Sequence, residues 1–155
     1  MILSLLNVLP SLSTGLAMLI VGTHFRKHIH TEIGKNGICI PSAAKNEYKW
    51  LYAQAMGPRI LISLGATAIL VSFFVGCILV LLDGGDDLIL MVNTGVGISV
   101  LVGALLYLDR KVDNFTPVWL NEEANDKGEM WLNTMKDYAA KNQFVLFERL
   151  AQSEE

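Results

Sequence analysis

Charged side chains are scarce in this sequence and unevenly distributed along it. Of its 155 residues, 17% are charged and 52% are hydrophobic, whereas an ordinary soluble domain carries about a quarter charged residues. No Asp, Glu, Lys or Arg occurs in Met1–Phe25, in Ile60–Leu82 or in Leu88–Leu108. Each interval reaches the roughly 20 residues that an apolar helix needs to cross a bilayer. The scarcity of charge therefore argues against a soluble domain and predicts an all-α integral membrane protein.

Cysteine is rare, and the common catalytic motifs are missing. The two cysteines, Cys39 and Cys77, fall in a polar loop and in an apolar interval, so a disulfide between them is geometrically unfavourable. No serine lies in a glycine-rich elbow, no phosphate-binding loop occurs, and the apolar intervals lack the ionisable groups that mark proton or ion pathways. The sequence therefore disfavours an enzyme or an active transporter, and we expect no cofactor and no nucleic-acid partner.

The three uncharged intervals predict three transmembrane helices. The second interval contains only three polar side chains, and the third contains Asn93, which can hydrogen-bond within its helix or to a neighbouring one. The first is interrupted by Pro10, so its helix is expected from about Pro10 to about Thr23. A signal peptide is the alternative for this segment, but it lacks a basic amino-terminal region and a small-residue cleavage site. A permanent helix is therefore preferred.

The positions of Lys and Arg predict the orientation, because short loops rich in these residues stay in the cytoplasm. The link at Asp83–Asp87 has three carboxylates and no base, so we expect it outside, together with the amino terminus. The loop at 25–57 and the tail at 109–155 are expected inside, attached to a membrane domain over residues 1–108. The bases that support this assignment are Arg26, Lys27, Lys35, Lys45, Lys49, Arg59, Arg110 and Lys111.

Small residues recur at helical spacing in all three predicted spans. Small side chains let helix backbones approach closely in lipid, where apolar burial alone cannot drive association. We expect the rows of the second and third spans to meet, in a three-helix bundle or in a homodimer. The alternative is that small residues are simply common in membrane helices. The rows are Gly65, Ala68, Ser72 and Gly76 in the second span, Gly95, Ser99 and Gly103 in the third, and Ser11, Gly15, Met18 and Gly22 in the first.

The loop between the first two spans contains the polar and aromatic segment "GICIPSAAKNEYKWLYA". Pro41 suits a helix start, and either Ser42 or Asn46 could cap a helix that runs through Trp50 to Gly57. Its aromatic rings alternate with charged side chains, and amphipathic rings prefer the headgroup zone of a bilayer. We therefore expect an interfacial helix on the inner membrane surface, with the second span beginning directly after it.

This segment resembles the signature of the short SdpI-family membrane proteins, bacterial proteins associated with immunity to secreted peptide toxins. In that family a Gly-Tyr-Arg-Thr-Pro-like turn precedes a Ser/Lys/Asn-rich stretch, a Trp and, one turn later, an Ala. One span before the segment and two after it also match, so the resemblance covers roughly Leu12–Leu108. The chain departs from it at Cys39 and Ile40, where relatives have Arg and Thr. The matching residues are Gly37, Pro41, Lys45, Asn46, Trp50 and Ala53.

The resemblance implies a protein of the bacterial cytoplasmic membrane that binds or occludes a peptide toxin, with the six matching residues as candidate binding residues. It could also hold a cytoplasmic regulator. If the family's Arg contacts a toxin, a lipid phosphate or a partner, this chain lacks that contact. The alternative function is a non-catalytic accessory subunit of a larger membrane complex, which would use its small-residue helix faces for contact and its tail as a tether.

A histidine-rich stretch, "HFRKHIHTE", follows the first span. His24 and His28 would share a helical face at the i, i+4 spacing that some zinc sites use. The alternative is an interfacial basic cluster in which Arg26 and Lys27 face anionic headgroups, worth about 1 kcal/mol per base. The second interpretation is preferred, and no metal is predicted.

The tail is predicted to contain a cytoplasmic amphipathic helix over about residues 129–151, after an acidic linker that includes "NEEANDKGE". Phe144 and Phe147 are predicted to lie off its apolar arc. The helix could fold back on the inner loop, lie on lipid or dock on a protein partner, and the sequence leaves these alternatives open. The predicted apolar arc contains Leu132, Met135, Tyr138, Ala139, Val145, Leu146 and Leu150.

Overall fold

The computed structural model describes residues 9–82, 85–116 and 125–153. This part of the chain is helical and contains no strand, as the sequence predicts. The predicted outer link is described only in part, because residues 83–84 lie outside these ranges, and so does most of the acidic linker. The helices are α1 (Leu9–Lys27), α2 (Glu47–Leu81), α3 (Asp86–Asp113), α4 (Asn125–Ala140) and α5 (Phe144–Ser153), with a short 3-10 helix at Ala43–Lys45.

Two of these helices, α2 and α3, are long and apolar enough to cross a membrane. Only 22% of the most apolar 18-residue window of each is buried, whereas the core helix of a soluble protein buries most of its apolar surface. Both helices therefore agree with a membrane location. The predicted first span falls on α1, which is not one of the two, and residues 1–8 lie outside the described part of the chain. The third span remains a prediction.

Helix α2 does not begin after Gly57, as the sequence analysis expected. A single helix of 35 residues contains Pro58 in its interior, although an interior proline removes a backbone donor and crowds the carbonyl four residues earlier. Pro58 is fully buried, and so are Trp50 and Tyr52 nearby. Burial of this segment thus outweighs the cost of the proline. The prediction of a separate interfacial helix is wrong, because its aromatic rings lie inside the protein.

The first compact unit comprises the chain up to Gly22 together with Ile60–Leu105. Within it, α1 and α2 approach most closely at a pair of glycines. A Cβ atom added at Gly15 would lie 2.9 Å from the carbonyl oxygen of Gly65 and 2.7 Å from Cγ1 of Ile69. Only glycine permits this backbone separation. The predicted rows on both helices are buried: Ser11, Gly15, Met18 and Gly22 on α1, and Gly65, Ala68, Ser72 and Gly76 on α2.

The predicted row on α3 does not join this packing. Gly95, Ser99 and Gly103 are exposed, and a Cβ atom at either glycine would meet nothing within 4 Å. The buried glycine is Gly97, where a Cβ would lie 3.2 Å from Cα of Ser11. Positions 95 and 97 differ by about 200° around a helix, so α3 buries nearly the opposite face from the predicted one. The expected meeting of the α2 and α3 rows is not made within the chain.

A buried hydrogen bond accompanies the packed face of α3. The Ser11 hydroxyl donates to Oδ1 of Asn93 at 3.4 Å, and Nδ2 of Asn93 donates to the carbonyl oxygen of Ile89 at 3.0 Å. Asn93 thus bonds both to its own helix and to α1, the two alternatives that its place in an apolar interval suggests.

The second compact unit comprises Thr23–Arg59 together with the chain from Leu106 onward. Its core surrounds the first turns of α2, where residues 50–58 are all buried. The ring of Phe115 stacks on Tyr52 with centroids 3.9 Å apart and an interplanar angle of 10°. Trp131 of α4 lies beside Tyr48 and Phe115, at centroid distances of 6.2 and 6.4 Å. This aromatic cluster joins the inner loop, the end of α3 and the tail.

The tail forms two helices rather than the single helix predicted over about 129–151. Helix α4 ends at Ala140 and α5 begins at Phe144, and Asn142 between them has a φ of 52°, a conformation that asparagine tolerates better than most residues. This turn changes the helical phase, so Phe144 and Phe147 are buried while Val145 and Leu146 are exposed. The predicted arc is wrong for α5 because it counted one period across the break.

The tail folds back on the inner loop, which was one of the three alternatives that the sequence left open. The ammonium of Lys136 pairs with Glu47 at 2.6 Å, and the guanidinium of Arg59 lies 3.4 Å from the carboxylate of Glu148. In addition, the Arg26 guanidinium lies over the Phe144 ring, 5.4 Å from its centroid.

Candidate functional site in the inner loop

The segment that resembles the SdpI family folds around a contact between Gly37 and Trp50. Trp50 is fully buried, and its Nε1 donates to the carbonyl oxygen of His30 at 3.0 Å. A Cβ atom at Gly37 would lie 2.7 Å from Cζ2 of this ring and 2.8 Å from Oε1 of Gln54. A residue with a Cβ would therefore displace the ring or the amide. Two positions of the motif, 13 residues apart in the sequence, are thus coupled by direct packing.

Gln54 closes the base of this loop, and the sequence analysis did not single it out. The backbone N–H of Ile38 donates to its Oε1 at 3.0 Å, and its Nε2 donates to the carbonyl oxygen of Ile38 at 3.3 Å. The amide therefore satisfies both polar groups of one buried residue, which would otherwise be costly. A glutamine within "WLYAQAMG" was the available signal, because a polar side chain in an apolar run needs a partner.

The turn around Pro41 is held to the end of α3 by a carboxylate. The backbone N–H of Ser42 donates to Oδ1 of Asp109 at 2.9 Å. Ser42 makes no side-chain capping bond, whereas Oδ1 of Asn46 accepts the N–H of Lys49 at 2.8 Å. Asn46 therefore caps α2, and it satisfies one of the amide donors that the first turn of a helix leaves unpaired.

Two lysines of the segment meet a second carboxylate on α3. The ammonium of Lys45 hydrogen-bonds to Oδ1 of Asp113, and Lys49 donates to the backbone carbonyl of the same residue. These groups are partly exposed, so each pair contributes little to stability on its own. Nearer the start of the loop, the Lys35 ammonium is hydrogen-bonded to the Glu32 carboxylate and lowers the pKa of that carboxyl.

The motif residues divide into a buried and an exposed group. Gly37 packs against Trp50, and Ala53 is fully buried on α2 beside it. Pro41, Lys45 and Asn46 are exposed, as is Cys39. Only the exposed group can touch another molecule, and it offers an ammonium, an amide and a thiol. This arrangement can bind a partner, and among these residues there is no acid–base pair or nucleophile–base pair for catalysis.

The histidines after the first predicted span lie outside this arrangement. The rings of His24 and His28 have centroids 4.8 Å apart, and both residues are exposed. In the described ranges, no group of three or more His, Cys, Asp or Glu residues is placed to hold a metal ion.

Comparison with known protein families, with curated proteins and with solved structures finds no significant match. The likeness to the SdpI family therefore rests on the motif residues alone.

Proposed function

We propose that this chain is a multi-pass protein of the bacterial cytoplasmic membrane that confers immunity to a secreted peptide toxin by binding or occluding it. It crosses the membrane three times, with the amino terminus outside and the tail inside. The observation that carries the proposal is the packing of Gly37 against the buried Trp50. The residues on which the family resemblance depends form one folded element, so their spacing has a physical reason.

The membrane part of the proposal is supported by the surfaces of α2 and α3. Large apolar side chains on both helices are exposed, and such surface is stable only against lipid or another apolar partner. The charged residues lie beyond the apolar intervals, with bases on one side and the carboxylates of Asp83–Asp87 on the other. A membrane-active peptide would meet these exposed faces within the bilayer. They include Leu70, Phe73, Phe74 and Ile78 on α2, and Met91, Ile98 and Leu106 on α3.

The inner unit supplies the partner-binding part of the mechanism. The exposed motif residues Pro41, Lys45 and Asn46 share a surface with Cys39, and this surface holds a cytoplasmic regulator while the spans bind the toxin. The buried motif residues Gly37 and Trp50 maintain the shape of that surface.

The test is survival of a sensitive bacterial strain that expresses the chain and is challenged with culture supernatant from the native host. The wild type should protect, and Lys45→Ala should reduce protection. Lys141→Ala is a matched control, because both lysines pair with an aspartate and have similar side-chain exposure, 56% and 59%. A wild-type protein that is abundant in the membrane yet gives no protection would contradict the proposal.

An accessory subunit of a larger membrane complex is the second candidate, favoured by the open row on α3. Gly95 and Gly103 are exposed with nothing near their Cα atoms on that side, and such a row accepts a close-packed helix from another protein. Co-purification from mild detergent separates the two functions. A stoichiometric membrane partner that is lost with Gly103→Leu, without protection against toxin, would favour the accessory subunit.

A further inference from the structure

A pocket of about 500 Å³ lies in the second compact unit, at the end of α3. Its volume is within the range of small-ligand sites, roughly 300–1,000 Å³. One wall is the last part of α3 and the residue after it, and the opposite wall is aromatic, formed by the stacked Tyr52 and Phe115. The lining residues are Tyr52, Tyr107, Arg110, Lys111, Asn114, Phe115 and Thr116.

The chemistry of this lining is uniform in sign. Arg110 and Lys111 bring two positive charges, the Asn114 amide and the Thr116 hydroxyl bring neutral donors, and none of the lining residues is acidic. An arginine fork beside further donors is the arrangement that binds phosphate oxygens best. A neutral or cationic ligand would leave both positive charges in the pocket without compensation.

Two carboxylates close by in the sequence are kept out of the pocket. Asp109 and Asp113 lie on another face of α3, because positions 109 and 113 are about 100° away from 110 and 114 around the helix. Their oxygens are occupied elsewhere: Asp109 accepts the N–H of Ser42 at 2.9 Å, and Asp113 accepts the ammonium of Lys45. The fold of the inner loop thus separates the acids of this helix end from its bases.

We propose that this pocket binds a phosphate group, carried either by an anionic phospholipid or by a soluble phosphate compound. Its position suits a headgroup, since the uncharged interval of α3 ends at Leu108 and Tyr107 is 55% exposed at that border. Exposed tyrosines are common where a helix leaves the acyl region, and basic pockets beside membrane helices bind anionic headgroups.

The helix dipole offers a simpler reason for the two bases, because Lys and Arg in the last turn of a helix stabilise its negative end. That role accounts for the charges but requires neither a pocket nor an aromatic wall. It also predicts that removal of Arg110 changes the stability of the protein equally with and without an anion. The two roles therefore differ in the response to ligand.

The test is the thermal midpoint of the purified full chain in mild detergent, titrated with three probes. These are short-chain phosphatidylglycerol, phosphatidylcholine of the same chain length, and inorganic phosphate. Phosphatidylglycerol should raise the midpoint and phosphatidylcholine should not. A rise with inorganic phosphate of the same size would identify a soluble phosphate compound as the ligand, and a rise with phosphatidylglycerol alone would identify the lipid.

Arg110→Gln should weaken the apparent affinity about tenfold or more, which is the value of a lost charged hydrogen bond. Arg149→Gln, on exposed α5 surface, should bind like the wild type. Asn114→Leu narrows the pocket without changing its charge and should also weaken binding, so the test does not depend on one variant. Absence of a rise with either anion, an equal rise with phosphatidylcholine, or an unchanged affinity in both pocket variants would overturn the proposal.

Discussion

Gly15 of α1 and Gly65 of α2 lie opposite each other, so close that a Cβ atom on either residue would come within 2.9 Å of the other's carbonyl oxygen. This crossing fixes the separation of the two helices in the first compact unit. It makes the small-residue rows on these helices a structural requirement, whereas the row on α3 faces outward.

Gly65→Ala should therefore destabilise the protein by about 1–3 kcal/mol, since the added methyl group meets backbone oxygen and Cβ of Met18 rather than a flexible side-chain end. Gly103→Ala is the matched control. Nothing lies within 4 Å of its added methyl group, and alanine favours a helix over glycine by up to about 1 kcal/mol. Thermal midpoints in detergent should fall for Gly65→Ala and stay level or rise for Gly103→Ala; the reverse order would contradict the assigned packing faces.

Trp50→Ala should unfold much of the second compact unit, because removal of a buried tryptophan typically costs about 3–5 kcal/mol. Trp50→Phe should cost less, since it keeps a buried ring and loses the hydrogen bond to His30. Gly37→Ala should also destabilise, by about 1–3 kcal/mol, because it pushes against the indole ring. Limited proteolysis of the purified chain measures this, with Lys45→Ala as the exposed control. A Trp50→Ala protein as resistant as the wild type would show that the ring is not a core residue.

Cys39→Arg and Ile40→Thr, which restore the residues of the SdpI-like signature, should have opposite consequences for stability. Cys39 is exposed, so an arginine there reaches solvent and should leave the midpoint unchanged. Ile40 is buried, and threonine there removes apolar contact and buries a hydroxyl, at a cost of about 1–3 kcal/mol. Thermal unfolding of the two single variants measures the difference. Equal midpoints for both would mean that the loop rearranges around position 40.

The sequence predicted most of the helical framework because each decisive signal was local. Intervals without charge located α2 and α3, and four-residue spacing of small side chains located the buried faces of α1 and α2. The buried face of α3 was missed, since Gly95 and Gly97 are equally small and only the position of Ser11 decides which of them packs.

The errors in the inner unit have a different cause, since tertiary burial overrode local preference there. Pro58 predicted a helix start, yet the packing around Trp50 extends α2 through it. The single period counted across Asn142 placed Phe144 outside the core, although the turn rotates it inward. Gln54 was overlooked because its role depends on Ile38, 16 residues earlier. The sequence therefore located the candidate site but assigned its buried residues to the surface.

The orientation of the membrane domain can be tested with the native thiols. Cys39 is exposed in the inner loop and should react with a membrane-impermeant maleimide only after the cells are permeabilised, in a Cys77→Ala background. A thiol at Gly85, in a chain without other cysteines, should react in intact cells. Glycine at that position has open space around its Cβ direction and no left-handed φ, so cysteine fits there. Asn36 is a poorer site because its φ is 49°.

A third thiol, at Ser4, decides whether α1 crosses the bilayer. Labelling of Ser4→Cys in intact cells, together with protection of Cys39, requires one crossing between them and gives three spans. Protection of both positions would leave α1 on the inner side and reduce the membrane domain to the α2–α3 hairpin. Labelling of Cys39 in intact cells would reverse the orientation, and it would mean that the six bases between the first two predicted spans lie outside, against the charge bias that holds for short loops.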